Sequence, residues 1–398
     1  MKKILIITPK FPYPARGACE QDRAAGIEFF IKSGWEVRVI TKIYGEEYKK
    51  DVSEANEKLG ITIIPINYKY LTLSIGQKIK NIFLRLVMPW YWDGAAREYG
   101  DLNIKMALSE ELKNFKPNLV WFDYTYLWPL YKQIKKQGIP IVTRSINFEP
   151  RHCLEEDSAF GLKYLKFFPK LLSEYLVSRW SDVIFAITPI EAILYRKLGA
   201  KQVVVMPLRG LKKYLEVPPI LIRERSPLNV FFAGSTYNVA HNREALKFLL
   251  NQMIPEVERK MPGQFKFHIF GGKIPQSFSK YFNDNIIRYN YLSEEKFDEN
   301  MNKMDIAIAP SLCGAGMQQK IFEPLTRGFP TIISARGLAG FPFNDNEHVL
   351  LANSAMDFVN SLDSLRDRKL REKLSCAARA LSKKLFFTCN IEEVLPQN

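Results

Sequence analysis

ILIITPKFPYPARGACEQDRAAGIEFFIKSGWEVRVIT, residues 4–41, is the stretch on which the fold turns. ILIIT (4–8) is a short apolar run that enters a loop of Pro and Gly, PKFPYPARGA. A segment of helical character follows, QDRAAGIEFFIKSG, and then a second short run, EVRVIT (36–41). Strand, helix and strand at this spacing make a βαβ unit, which requires parallel strands with helices on the sheet faces.

The same alternation continues outward. Strands are expected at 61–66, 119–123, 140–145, 182–188 and 202–207, so residues 1–207 read as one doubly wound α/β domain. RGLKKYLEVPPILIRERSP changes the texture to charge and proline, and 208–227 reads as a linker. A second series then starts: LNVFFAG (228–234), a long helix over 241–260, FKFHIFGG (265–272), IIRYNY (286–291), MDIAIAP (304–310), PTIIS (330–334) and EHVLLA (347–352). This predicts a second Rossmann-like domain over 228–380, with a tail at 381–398 able to return to the first domain. Two such domains form a cleft, and open parallel sheets take their ligands beyond the carboxyl ends of the strands.

Composition limits the setting. A chain of 398 residues with 47% hydrophobic and 25% charged residues is long enough for two cores and lies in the globular range. The net charge of +15 attracts phosphates or anionic headgroups. Zinc-finger spacing, a basic heptad and an RNP-like signature are all missing, so nucleic acid is not the expected partner. Five scattered cysteines without a CxxC pair point to a reduced, cytoplasmic compartment. The apolar run of MKKILIIT stops at Lys10 and reads as a buried strand, not a signal peptide, and no stretch reaches the roughly 20 apolar residues of a membrane span.

The loop and helix after MDIAIAP carry the chemistry. In CGAGMQQKIFEPLTRGFP (313–330), Gly314 and Gly316 let the backbone approach a ligand at a helix N-terminus, where a phosphate is the natural guest. Lys320 and Glu323 project to roughly one side, a lysine for a diphosphate and a carboxylate for a ribose diol. The alternative is an exposed i,i+3 ion pair between them, worth a few tenths of a kcal/mol.

Gly316, Gln318, Lys320, Glu323, Gly328, Pro330 and Ser334 together resemble the signature of the retaining glycosyltransferases of family four, in a variant form G-x-Q-x-K-x-x-E followed by G-x-P-x-x-x-S. FFAGSTYNVAHN (231–242), ending on Asn242, is similar to that family's F-x-G-S strand and helix, the opening strand and loop resemble its N-terminus, and TRSINFE resembles its R-x-H-N-x-E stretch. The resemblance implies a GT-B fold and a hexosyltransferase-type enzyme. Its donor is a nucleotide-diphosphate sugar held by the second domain, and its acceptor a lipid-linked or cell-envelope glycan held by the first. Lys320 and Glu323 would be the catalytic pair, and Gly17, Gly234, Ser235, Tyr291, Gly314, Gly316 and Gln318 would join them around the donor. No metal or other cofactor is implied, because lysine and helix dipoles can neutralise the leaving group.

Two positions depart from the family pattern. Ala315 stands where many members have a glutamate, and Ile146 replaces the histidine of R-x-H-N-x-E, leaving Asn147, Glu149 and His152 as acceptor-side substitutes. The stretches 67–92 and 162–180 mix lysine, arginine and aromatics, as a surface on the inner face of the plasma membrane would. A sugar-nucleotide epimerase and a silent scaffold of the same fold are the alternatives.

Overall fold

The structure is a computed structural model describing residues 2–396 except 16, 71–72, 89–92, 157–160, 315 and 388–390. Two compact units divide the chain, Met1–Gly210 with Asn390–Asn398, and Leu211–Cys389.

In the first unit seven parallel strands lie in the order β3-β2-β1-β4-β5-β6-β7. They are β1 (Lys3–Thr8), β2 (Glu36–Ile43), β3 (Thr62–Asn67), β4 (Leu119–Phe122), β5 (Ile141–Ser145), β6 (Val183–Ala186) and β7 (Val203–Val205). Ile4, Leu5, Ile6 and Ile7 are all buried, as a central strand covered on both faces requires. The order reverses at β1, whose neighbours are β2 and β4, and this places a crevice at their carboxyl ends.

The second unit has six parallel strands ordered β10-β9-β8-β11-β12-β13. These are β8 (Leu228–Thr236), β9 (Phe265–Gly272), β10 (Ile286–Tyr289), β11 (Ile306–Ala309), β12 (Thr331–Ile333) and β13 (Leu350–Leu351). Their order reverses between β8 and β11. The helix expected over 241–260 is helical throughout, with a π turn at Leu249–Met253 just before Pro255, which has no N–H to continue the ladder.

Two segments differ from the sequence expectation. Residues 208–227 are not a plain linker. Lys212–Glu216 is helical, with Tyr214 and Leu215 buried, and Arg379 donates to their carbonyls at 3.1 and 3.2 Å. The expected boundary at 380 falls inside the helix Arg368–Phe387, which no glycine or proline interrupts and which buries Leu374, Ala378 and Phe386 on one face. Beyond it, Glu392 accepts a hydrogen bond from Trp35 Nε1 at 3.1 Å, within the first unit.

Candidate functional site

The reversal between β8 and β11 sets two loops and two helix starts side by side. After β8 the chain bulges between Ala233 and Thr236 and enters the helix Ala240–Phe248. Glycine is needed here: a Cβ on Gly271, at φ 136°, would lie 2.0 Å from the Gly234 carbonyl oxygen, and one on Gly234 would lie 3.3 Å from Asn242 Cγ. Asn242 is buried, and its Nδ2 donates to the Thr236 carbonyl at 2.9 Å. Its Oδ1 thereby faces out to accept from Lys320 Nζ at 3.1 Å. Lys320 also reaches the His241 carbonyl at 3.4 Å and lies 5.5 Å above the Phe232 ring.

After β11 the loop is shaped by left-handed Gly314 (φ 96°) and Gly316 (φ 74°) before the helix Gln319–Arg327. Gln318 holds the N-cap position without capping the helix. Its Nε2 turns back to Ser311 Oγ at 3.3 Å and the Cys313 carbonyl at 3.2 Å. Ser334 Oγ accepts from the Ser311 amide at 3.2 Å and Arg336 Nη2 donates to the Gly314 carbonyl at 2.9 Å, so the turn after β12 pins the loop. This is a physical use for Ser334 and adds Arg336, which sequence reading missed. Ala315 lies outside the described residues.

Lys320 and Glu323 share one helix and take different partners. Glu323 Oε2 accepts from Gln319 Nε2 at 2.8 Å and Oε1 from Arg327 Nε at 2.9 Å. Arg327 continues to Asp298 at 2.6 Å and stacks 4.0 Å over the Tyr214 ring. Burial works against its charge, but Glu323, Tyr214 and Asp298 outweigh that and raise its pKa. Among the described residues Glu323 pairs with Arg327 and not with Lys320, whose ammonium bonds Asn242 and His241.

The other expected donor-side residues are less enclosed. Ser235 is exposed at the end of β8, and Tyr291 is 62% exposed just beyond β10. Gly17 belongs to the first unit, as N-cap of the helix Ala18–Lys32, where a Cβ would meet Glu20 Oε2 at 2.4 Å.

Asn147, Glu149 and His152 are brought together in the first unit, in a cluster with much of its polarity satisfied internally. Tyr124 OH donates to Glu149 Oε1 at 2.7 Å, Asn147 Nδ2 reaches Tyr124 OH at 3.3 Å, and Lys170 Nζ bonds Glu149 Oε2 at 2.6 Å. Burial would raise the Glu149 pKa, but Lys170 and then His152 hold it below the usual range. Behind it, Glu174 accepts from Thr125, Tyr195 and the Glu149 amide, and burial with the nearby Glu149 charge pushes it up to about 8. Ile146 is buried, so the position of the family histidine carries an apolar contact. Lys170 and Glu174 gave no signal in the sequence, since both sit in an ordinary amphipathic helix. Among the described residues no group of three or more His, Cys, Asp or Glu side chains is placed to hold a metal ion.

No family model and no curated protein matches the chain; solved structures do. Sucrose-phosphate synthase from Thermosynechococcus elongatus is 16% identical with a TM-score of 0.65, over 99% of this chain and 96% of that one. TarM of S. aureus, solved with fondaparinux, α-GlcNAc-glycerol and UDP, is 10% identical with a TM-score of 0.67, over 99% of both chains. The fold is GT-B. The UDP-GlcNAc 2-epimerase of Neisseria meningitidis, bound to UDP-GlcNAc, is also similar, at 16% identity and a TM-score of 0.52 over 97% of this chain and 99% of that one. In GT-B terms the Lys320 loop lies at the β8/β11 reversal of the second Rossmann-like unit.

Proposed function

We propose that the chain is a glycosyltransferase that moves a sugar from a nucleotide-diphosphate donor to a lipid-linked or cell-envelope glycan, with retention and without a metal. The observation that carries the reading is Lys320, whose ammonium is held by the neutral oxygens of Asn242 and His241 beside a left-handed glycine loop at a helix N-terminus. A lysine at this place adds its charge to the helix dipole in attracting a ligand anion. As the sugar leaves, charge grows on the diphosphate, and Lys320 stabilises it more in the transition state than before. The charge is supplied by the protein, so a chelator leaves turnover unchanged. Glu323 grips the ribose diol, its carboxylate held in place by Gln319, Arg327 and the Tyr214 hydroxyl. Gly314, Gly316 and Gly234 admit the phosphates closely, Ser235 and Gln318 flank them, and Tyr291 offers a face to the base. The first unit takes the acceptor near Asn147, Glu149 and His152.

A peripheral membrane setting fits the acceptor. The helix Ile75–Val87 buries no residue, and Ile75, Ile79, Ile82, Phe83 and Leu86 are each at least 60% exposed. A capping box between Ser74 and Gln77 fixes its start, and its charges are Lys78, Lys80 and Arg85 without a carboxylate. An apolar face edged only by cations suits the inner, anionic leaflet of the plasma membrane. Among the described residues no helix is long and apolar enough to cross a membrane.

The epimerase reading has one support, the likeness to the UDP-GlcNAc 2-epimerase. Nucleotide release from a panel of sugar nucleotides, with and without a membrane extract, separates the readings. Release that needs the extract supports transfer, sugar epimerisation without it supports the epimerase, and silence in both supports a scaffold.

A further inference from the structure

Glu323 is held by a guanidinium that is itself fixed by its neighbours. Arg327, the last residue of the helix Gln319–Arg327, is largely buried, with 11% of its side chain exposed. It stacks 4.0 Å over the Tyr214 ring, and the Phe297 ring centre lies 5.7 Å away. Phe297 packs in turn on Phe270 of β9, with ring centres 5.6 Å apart, against the cluster that holds Phe231 and Phe329. Tyr214 is anchored through its backbone: Arg379 donates to its carbonyl at 3.1 Å and to that of Thr326, beside Arg327, at 2.7 Å. A few residues on, the Ile220 amide donates to the Arg327 carbonyl at 3.0 Å. The segment that reads as a linker in the sequence is thereby fastened along the end of the helix that carries Glu323.

The guanidinium divides its hydrogen bonds between two carboxylates. Nε donates to Glu323 Oε1 at 2.9 Å and Nη2 to Asp298 Oδ1 at 2.6 Å. Those two nitrogens form an edge with which an arginine can grip a single carboxylate bidentately. Asp298, on the helix Glu294–Met301, takes half of that edge, so Arg327 bonds one oxygen of Glu323. The other oxygen, Oε2, accepts from Gln319 Nε2 at 2.8 Å. The carboxylate is thus fixed between a residue one turn before it and a residue one turn after it. A polar group oriented before its ligand arrives binds more selectively, because the ordering has already taken place on folding.

We propose that Arg327, held by Tyr214 and Asp298, is a positioning residue that aims Glu323 at the 2′ and 3′ hydroxyls of the donor ribose and so sets the preference for a ribose over a 2′-deoxyribose nucleotide. This rests on reading Glu323 as the ribose ligand. The role belongs to the planar fork and not to the charge alone, since a lysine would bring the same charge without fixing the plane of the carboxylate.

The test uses the full chain and calorimetry. UDP, GDP and ADP are titrated first, and the tightest of them is compared with its 2′-deoxy counterpart and with inorganic pyrophosphate. The wild type is expected to bind the ribose form at least tenfold tighter than the deoxy form. Arg327→Lys, which keeps the charge without the fork, and Asp298→Asn, which releases Nη2 to turn onto Glu323, should each reduce that preference at least threefold. Both should leave pyrophosphate binding within twofold of wild type, and neither should change the preference further when added to Glu323→Gln. Asp298 is 45% exposed, so Asp298→Asn decides the matter even where Arg327→Lys fails to fold. A preference that survives either folded variant overturns the proposal. So does a loss that strikes pyrophosphate equally, which marks a structural arginine. No preference in the wild type, or one that survives Glu323→Gln, overturns the ribose reading of Glu323 instead, and binding of none of the three nucleotides overturns both.

Discussion

The two units place charge differently at the same topological position. At the reversal in the second unit, Lys320 bonds the neutral oxygens of Asn242 and His241. In the first, Asp22, on the helix after β1, receives Arg144 and Arg209, and Glu149, after β5, receives Lys170, so these buried charges find a partner inside the protein. One fold therefore serves two ends. Paired charge is buried deep in the first unit, and in the second a lysine on amide and carbonyl oxygens stands beside the paired Glu323 and Arg327 at a helix N-terminus.

Removing Asp22 should break the comparison most severely. Two guanidiniums would be left buried without their shared carboxylate, and losing one side of a buried pair costs about 3–5 kcal/mol. Denaturant unfolding of Asp22→Ala should show that loss; an unfolding free energy near wild type would mean that the first unit does not depend on compensated charge.

Lys320→Ala should lower kcat about a hundredfold, close to 3 kcal/mol, with stability unchanged. Steady-state kinetics on the released nucleotide decide it, and normal turnover removes the diphosphate role.

Glu323→Gln should act on binding more than on turnover, since the ribose is held alike before and during reaction. Hydrogen bonds to a charged group are worth about 1.5–3 kcal/mol, so the donor dissociation constant should rise at least tenfold by calorimetry.

A milder effect comes from pH. Burial pushes Glu174 up to about 8 and Glu191 up to about 7. In the folded chain both keep a proton that the unfolded chain releases above the ordinary carboxylate value of 4.5. Folding therefore binds protons between about pH 5 and 8, and stability falls as pH rises through that window, by at most about 1.4 kcal/mol per pH unit for each group. Unfolding curves at pH 6 and 8 should show the decline, and Glu174→Gln should flatten it.

The smallest effect on stability is expected on the exposed helix. Ile79→Glu with Phe83→Glu should change the unfolding free energy by less than about 0.5 kcal/mol for each substitution, since neither side chain is buried. Cosedimentation with vesicles containing anionic lipid should nevertheless drop, and wild-type binding to those vesicles should weaken as salt rises. Unchanged cosedimentation would remove the membrane reading.

Much of this was legible in the chain. The apolar runs at 4–8, 36–41 and 304–310 became β1, β2 and β11, because parallel strands buried on both faces are written as continuous apolar segments. Lys320 and Glu323 were singled out by helical period together with the family resemblance, and Asn242 by the resemblance of its strand and helix. The partners of Glu323 lie on its own helix, at 319 and 327, yet the charges of the first unit gave no such pattern. Lys170, Glu174 and Arg23 look like ordinary residues of amphipathic helices, and their burial becomes visible only when those helices are packed.

The sequence by itself determined where strands and helices alternate and which residues share the face of a helix, because both are periodicities among near neighbours. Only the tertiary structure decided which charges are neutralised. Lys320 finds Asn242 across 78 residues, and Asp22 finds Arg144 and Arg209 across 122 and 187. Those pairings depend on which distant strands become neighbours, so a lysine on amide and carbonyl oxygens and an arginine in a salt bridge look alike until the sheet order is set.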